Sequence, residues 1–267
     1  MTVMVKTWLI FLLLAVGILS ADVKYTLRCE IETNDKVMLK TGALADAMRD
    51  CTSVILQTAD RQLTRTGKMS QLIEFGTESV ITIDHEKKTW SKNSAEKTEA
   101  AAQASMNQLK QMGAVFKLTS NPLTETQKIS GYDAKGLVSV LEMSFNFPGM
   151  QQGMSSRAQM EFWVSETAPG AKEIIAWAAK SKSSHGMQVS PTIRMMSQFL
   201  STVPGGAQAL KDGQHLVGQL LQMGMQMETK GLADVLSLKM TMKAEGFDTA
   251  PIAASEFAIP DGYQEVK

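Results

Sequence analysis

Toward the C-terminal end of the chain the run Met223-Gly-Met-Gln-Met227 places three thioethers at alternate positions. On a strand, alternate side chains project from one face, and soft thioether sulfur of this kind selects Cu(I). Neither histidine nor cysteine interrupts the run. Met223, Met225 and Met227 are therefore candidate Cu(I) ligands. The plainer reading takes them as adaptable apolar filler, since an unbranched thioether fits irregular apolar space. The whole chain leans the same way, with 19 methionines against nine phenylalanines, four tryptophans and three tyrosines.

Other reactive side chains do not fall into spacings that chemistry requires. Zinc hydrolysis uses two histidines on one helix face, as in His-Glu-x-x-His, whereas His85, His185 and His215 stand apart from one another. The triplet Asp84-His85-Glu86 has the composition of a metal site, but neighbours on a strand point to opposite faces, and only a turn would relax that. Ser184 and His185 are adjacent, which does not set a base against a nucleophile, and no Gly-x-Ser-x-Gly elbow occurs. Gly67-Lys68 has Gln62 where a phosphate loop carries its first glycine. Haem attachment and calcium loops are also missing. The sequence is thus read as non-enzymatic, with no catalytic residue, no cofactor and no His or Cys metal site.

Cys29 and Cys51 are the only cysteines. An even count outside the cytoplasm favours a disulfide, which would close a loop of about twenty residues and stabilise by about 3 kcal/mol. Two buried thiols packing as small hydrophobes are the alternative. The address follows from residues 1–21, where Lys6 precedes the apolar run from Trp8 to Ala21. Charge, short apolar run and small residues at Ser20 and Ala21 make a secretory signal peptide, shorter than the ~20 residues that span a bilayer. Cys29 follows Thr26-Leu27-Arg28, which is not a lipoprotein processing site. No stable membrane anchor is expected once the signal is cleaved. With 27 basic and 27 acidic residues, nothing draws the chain to nucleic acid or an anionic membrane.

The elements that must position these residues are legible where the apolar period is two. Val23, Tyr25, Leu27, Cys29 and Ile31 alternate with Lys24, Thr26, Arg28, Glu30 and Glu32; Leu236, Leu238, Met240, Met242 and Ala244 alternate with Ser237, Lys239, Thr241, Lys243 and Glu245. Both are strands with one wet face. Shorter strand-like runs fall at Thr52 to Thr58, Leu72 to Phe75, Val80 to His85, Leu137 to Phe147 and Met160 to Val164. One polar face on each means an antiparallel sheet. A capping box at Asn93 and Glu96 opens a helix through Thr98, Ala102, Met106, Leu109 and Met112 to Gly113. Ser190-Pro191 opens a second, through Ile193, Met196 and Val203 to Pro204-Gly205-Gly206. Ala207 to Met223 reads as a third, weakened by Gly213 and Gly218, and Ala171 to Lys182 as a short one around Trp177.

Four phrases carry a family resemblance. They are Ile81-Thr82-Ile83-Asp84-His85-Glu86-Lys87-Lys88-Thr89-Trp90, Lys128-Ile129-Ser130-Gly131-Tyr132-Asp133-Ala134, Glu161-Phe162-Trp163-Val164-Ser165, and Phe257-Ala258-Ile259-Pro260-Asp261-Gly262-Tyr263. In this order the chain resembles secreted bacterial proteins related to the outer-membrane lipoprotein carrier and receptor (LolA and LolB). That resemblance implies an α+β fold: a curved antiparallel β-sheet, a half-open barrel with helices covering one face and an apolar cavity for acyl chains. It departs from the compact carriers in its helical insertion at about 171–223, and their lid-fastening arginine has no counterpart to name here.

The expectation is a signal peptide over 1–21 and one exported domain over 22–267, periplasmic or secreted. It would bind an apolar, acyl or lipid-like molecule without transforming it. Docking of another envelope protein through sheet edges and the insertion is the alternative, beside Cu(I) binding. The outer charges Lys24, Arg28, Glu30, Lys239 and Lys243 are read as solvated.

Overall fold

The computed structural model describes residues 22–34, 51–77, 79–145, 153–180, 203–214, 216–231 and 235–266. The expected signal peptide and the helix expected from Ser190 to residue 202 lie outside these residues. Alternation at Val23 does form a strand, β1 (Val23–Thr33), and its counterpart near the C-terminus forms another, Leu236–Asp248. They pair antiparallel at the middle of one sheet, Leu27 opposite Ala244 and Ile31 opposite Met240.

On one side of β1 the chain runs as a meander: β2 (Ser53–Gln57), β3 (Arg61–Thr66), β4 (Met69–Glu74), β5 (Ser79–Asp84) and β6 (Thr89–Asn93). Each pairs antiparallel with the next. On the other side lie β7 (Ala114–Pro122), β9 (Tyr132–Phe145), β10 (Met154–Ser165), β11 (Gln219–Lys230) and β12 (Leu236–Asp248), with β8 (Gln127–Ile129) hairpinned onto β9. A short strand, β13 (Gln264–Glu265), adds parallel to β6. The order β13-β6-β5-β4-β3-β2-β1-β12-β11-β10-β9-β7 leaves two ends, so the sheet is not closed. The fold is sheet-dominated α+β.

Register fixes which side chains share a face, because directly opposed residues in an antiparallel pair point the same way. The odd residues of β1 continue across β12, β11 and β10 as two rows: Cys29, Met242, Met223, Phe162 and Ile31, Met240, Met225, Met160. In the other direction the same face continues as Tyr25, Ile55, Thr64, Gln71, Thr82 and Ser91. One face is thus methionine-rich on one side of β1 and dominated by threonine, glutamine and serine on the other.

Three α-helices are described, α1 (Ala95–Gln111), α2 (Ala171–Lys180) and α3 (Gly206–Asp212), with one 3-10 turn at Ala254–Phe257. The cap of α1 is Ser94, whose hydroxyl accepts from the Lys97 backbone N–H at 3.2 Å; Asn93 belongs to β6. The expected capping box is therefore off by one residue. A larger correction concerns Ala207 to Met223. Helix covers only Gly206–Asp212, Gly213 caps it, and β11 begins at Gln219. The expected insertion at about 171–223 thus ends in strand. Leu220 and Leu221 are both buried, and a short run apolar on both sides satisfies either period.

Met106 of α1 and Ala209 of α3, with Val203 and Leu216, pack on Phe116, Leu118, Leu137, Leu141, Met160 and Phe162. Gly205 lies at φ 85, a left-handed geometry that lets its backbone press against the Leu118 carbonyl, while the Leu118 N–H donates to Pro204 O at 3.0 Å. That contact covers part of the β7 edge. Ile174 and Trp177 of α2 pack on Ile73, Phe75 and Val80. Indole Nε1 donates to Phe75 O at 3.2 Å.

Candidate functional site

The methionine rows are the most distinctive surface within the sheet. Met223, Met225 and Met227 share one face of β11, half-buried, against the cluster that α1 and α3 close. β12 supplies Met242 directly opposite Met223 and Met240 directly opposite Met225. β10 supplies Phe162 beside Met223 and Met160 beside Met225, both buried. Met227 instead faces Leu238 and Ala158. The two central methionines therefore sit in a sulfur-rich block with Met240 and Met242, and Met227 lies at its margin. Strand alternation alone exposes the Met223, Met225, Met227 triplet; the β12 partners emerge only from register.

The opposite face of the same strands is charged. Lys117, Glu142, Arg157 and Glu228 form a row of alternating sign across β7, β9, β10 and β11, with Lys117 Nζ 3.8 Å from Glu142. A groove of about 380 Å³ lies along it, lined also by Val115 and Lys230. Alternating charges cancel each other's field, which suits a solvated surface better than capture of one ion. Arg28, Glu30 and Glu245 pair at 3.8 Å further along that face, and Lys239 lies 3.5 Å from Glu32. All are exposed.

Cys29 and Cys51 are joined by a disulfide with their Cα atoms 5.4 Å apart. Cys29 stands in the methionine row, opposite Met242. His185, Ser184 and His215 lie outside the described residues. His85 follows β5 and contacts neither the Asp84 nor the Glu86 carboxylate through its ring. Its Nε2 lies 2.7 Å from Ser70 Oγ and its Nδ1 3.0 Å from Tyr263 OH. This Ser–His–Tyr chain has the connectivity of an activated serine, but Ser70 is buried on the face that packs with Leu72. It ties the C-terminal segment to the sheet. Among the described residues, no three His, Cys, Asp or Glu side chains gather as metal ligands. Asp84 instead receives the backbone N–H groups of Lys87 and Glu86 at 2.9 and 3.0 Å, which holds its carboxyl below the usual range.

A comparison with protein-family models finds no match, and none of the curated proteins compared with the chain is significantly similar. The arrangement must therefore be read from its own chemistry.

A second, smaller polar feature lies at Gly170, which sequence reasoning missed. Gln57 and Gln219 are wholly buried; Gln57 Nε2 donates to Gly170 O at 2.9 Å and Gln219 Nε2 to Tyr25 OH at 2.6 Å. Their Oε1 atoms, with that of Gln62, have no protein partner. A Cβ on Gly170 would stand 2.7 Å from Val23 and 2.9 Å from Gln57 Nε2, so only glycine closes this corner. Burial raises the Tyr25 phenol far above its ordinary range, and the Gln219 hydrogen bond offsets this only in part. The group is neutral and structural at any ordinary pH.

Proposed function

We propose that this protein is exported and binds an apolar, acyl or lipid-like molecule against its methionine rows, without chemical transformation. The observation that carries the reading is that Met223, Met225 and Met227 remain half-buried beside a sealed cluster containing Met160 and Phe162. Fully packed filler would be sealed as those two are. Flexible thioethers at the margin of an apolar cluster suit a ligand of variable shape. Export is supported by the charged and apolar segment of residues 1–21 and by the Cys29–Cys51 bridge, which belongs to oxidising compartments. An open antiparallel sheet with helices packed on it is in keeping with the half-open barrel of the lipoprotein carrier and receptor.

The test is native and denaturing mass spectrometry of protein purified from an exporting host, followed by titration with cis-parinaric acid. An acyl adduct lost on denaturation, and saturable fluorescence displaced by palmitate, are the expected results. A clean mass with no saturable binding would overturn the reading and leave protein docking as the better account.

A further inference from the structure

We infer that Met223, Met225, Met240 and Met242 form a binding site for one monovalent soft cation, Cu(I) or its analogue Ag(I). The register places these four side chains at the corners of a block on one face: Met223 opposite Met242, Met225 opposite Met240. Residues two apart on a strand are separated by about 6.7 Å. Opposed residues bring their Cβ atoms to about 5 Å. An ion above the centre of the block lies about 4 Å in projection from each Cβ, within reach of a thioether two bonds beyond Cβ plus one metal–sulfur bond, so the four sulfurs can converge on a common centre. Met160, opposite Met225 on β10, lies next to the block as a further soft donor.

The chemistry of the donors decides the metal. Thioether sulfur is neutral and soft, binds Cu(I), and offers little to calcium, magnesium or zinc. The surroundings agree, since the same rows hold Phe162, Ile31 and Leu137 and no carboxylate or imidazole. A single positive charge is the least costly to place in such a half-buried apolar setting. The Cys29–Cys51 bridge keeps Cys29, which stands opposite Met242, from acting as a thiolate, so the site depends on thioethers alone in the oxidised protein. The ligand set differs from the one expected from sequence: Met227 faces Leu238 and Ala158 rather than another methionine, and it drops out.

The experiment uses the full chain with its disulfide intact and titrates Cu(I) anaerobically against a chromogenic chelator. Native mass spectrometry with Ag(I) gives the stoichiometry. One ion per chain is expected. Met225→Leu combined with Met240→Leu should weaken binding at least tenfold, while Met227→Leu and Met69→Leu leave it unchanged. Leucine conserves volume, so these variants should fold, and circular dichroism confirms it. X-ray absorption of the Cu(I) form should show sulfur scatterers only. No stoichiometric ion, or equal affinity in the double variant, would overturn the inference. Loss of metal binding with parinaric acid binding retained separates this site from the apolar-ligand reading.

Discussion

The two sides of the sheet solve burial differently, with β1 as the seam. In the β9–β12 side the face continuing from the odd residues of β1 is apolar and carries α1 and α3, while the other face is a ladder of exposed charges. In the β2–β6 side the face shared with the methionine rows still buries Ile55, Ile73 and Val80, the last two under α2, and the other face carries an apolar row of its own. Leu56, Leu63, Leu72, Ile81 and Ile83 lie there, covered by Ile252, Phe257, Ile259 and Tyr263 of the C-terminal segment. Thr64, Gln71, Thr82 and Ser91 take the face that methionines occupy across the seam. A strap of chain, held by polar anchors, thus covers this second face while α2 covers part of the first. Arg65 Nη2 reaches Glu256 Oε2 at 2.8 Å, Ile252 N–H donates to Asp22 at 2.8 Å, and Tyr263 meets His85.

The largest effects should come from removing the centre of either cover. Phe162→Ala and Phe257→Ala should each cost about 3–5 kcal/mol in urea unfolding, since both rings are sealed. Hydrogen exchange should then separate them. Phe257→Ala should speed exchange in β3–β5 and spare β9–β11, and uniform acceleration would break the distinction between the two sides. Replacing both Cys29 and Cys51 by serine should cost about 3 kcal/mol on the loop-entropy model, read in the same assay. Tyr263→Phe removes one anchor of the strap and should cost about 1 kcal/mol. If it costs nothing, apolar contacts alone hold the segment.

Acid sharpens the comparison further. Asp60, Glu74 and Asp84 all belong to the β2–β6 side, and each is held below its ordinary range. The Arg61 guanidinium brings Asp60 down to about 2, and hydrogen bonds from Ser79 and Lys92 lower Glu74. The unfolded chain protonates first, near pH 4, so stability from these groups is present above that value and is lost as pH falls toward 2. Melting temperature followed from pH 5 to pH 2 should fall, and Asp60→Asn should flatten part of the slope. A slope unchanged by Asp60→Asn would remove that carboxylate from the account. A small effect is expected from Met227→Leu, under about 1.5 kcal/mol, because volume is conserved.

How much of this was legible in the sequence follows from the same asymmetry. β1 and β12 alternate cleanly and were readable, as was α1 to within a residue. β3 was not, because Arg61-Gln-Leu-Thr-Arg-Thr carries one strong apolar residue and takes its structure from both neighbours. β7 alternates well, yet it follows α1 directly after Gly113 and is not among the strands the sequence predicts. Only the start of β11, residues 219–223, reads as helix, because Leu220 and Leu221 are both buried at the bulge opposite Trp163 and Val164 and fit either period. The methionine triplet was visible, but its partners on β12 depend on register between strands. The second apolar face that the sheet gains beyond β1 likewise depends on pairings that no local window contains.

The pairing of β1 with β12 has a kinetic consequence. Contacts such as that from Thr33 to Ser237 close a span of 204 residues. Such closure is slow because its entropy is lost before the pairing is rewarded. A chain emerging from its N-terminus can complete the β2–β6 meander early, yet one edge of β1 stays open until almost the entire polypeptide has appeared. During that interval the nascent molecule presents a long unsatisfied edge, the kind of surface at which chains aggregate or holding chaperones engage.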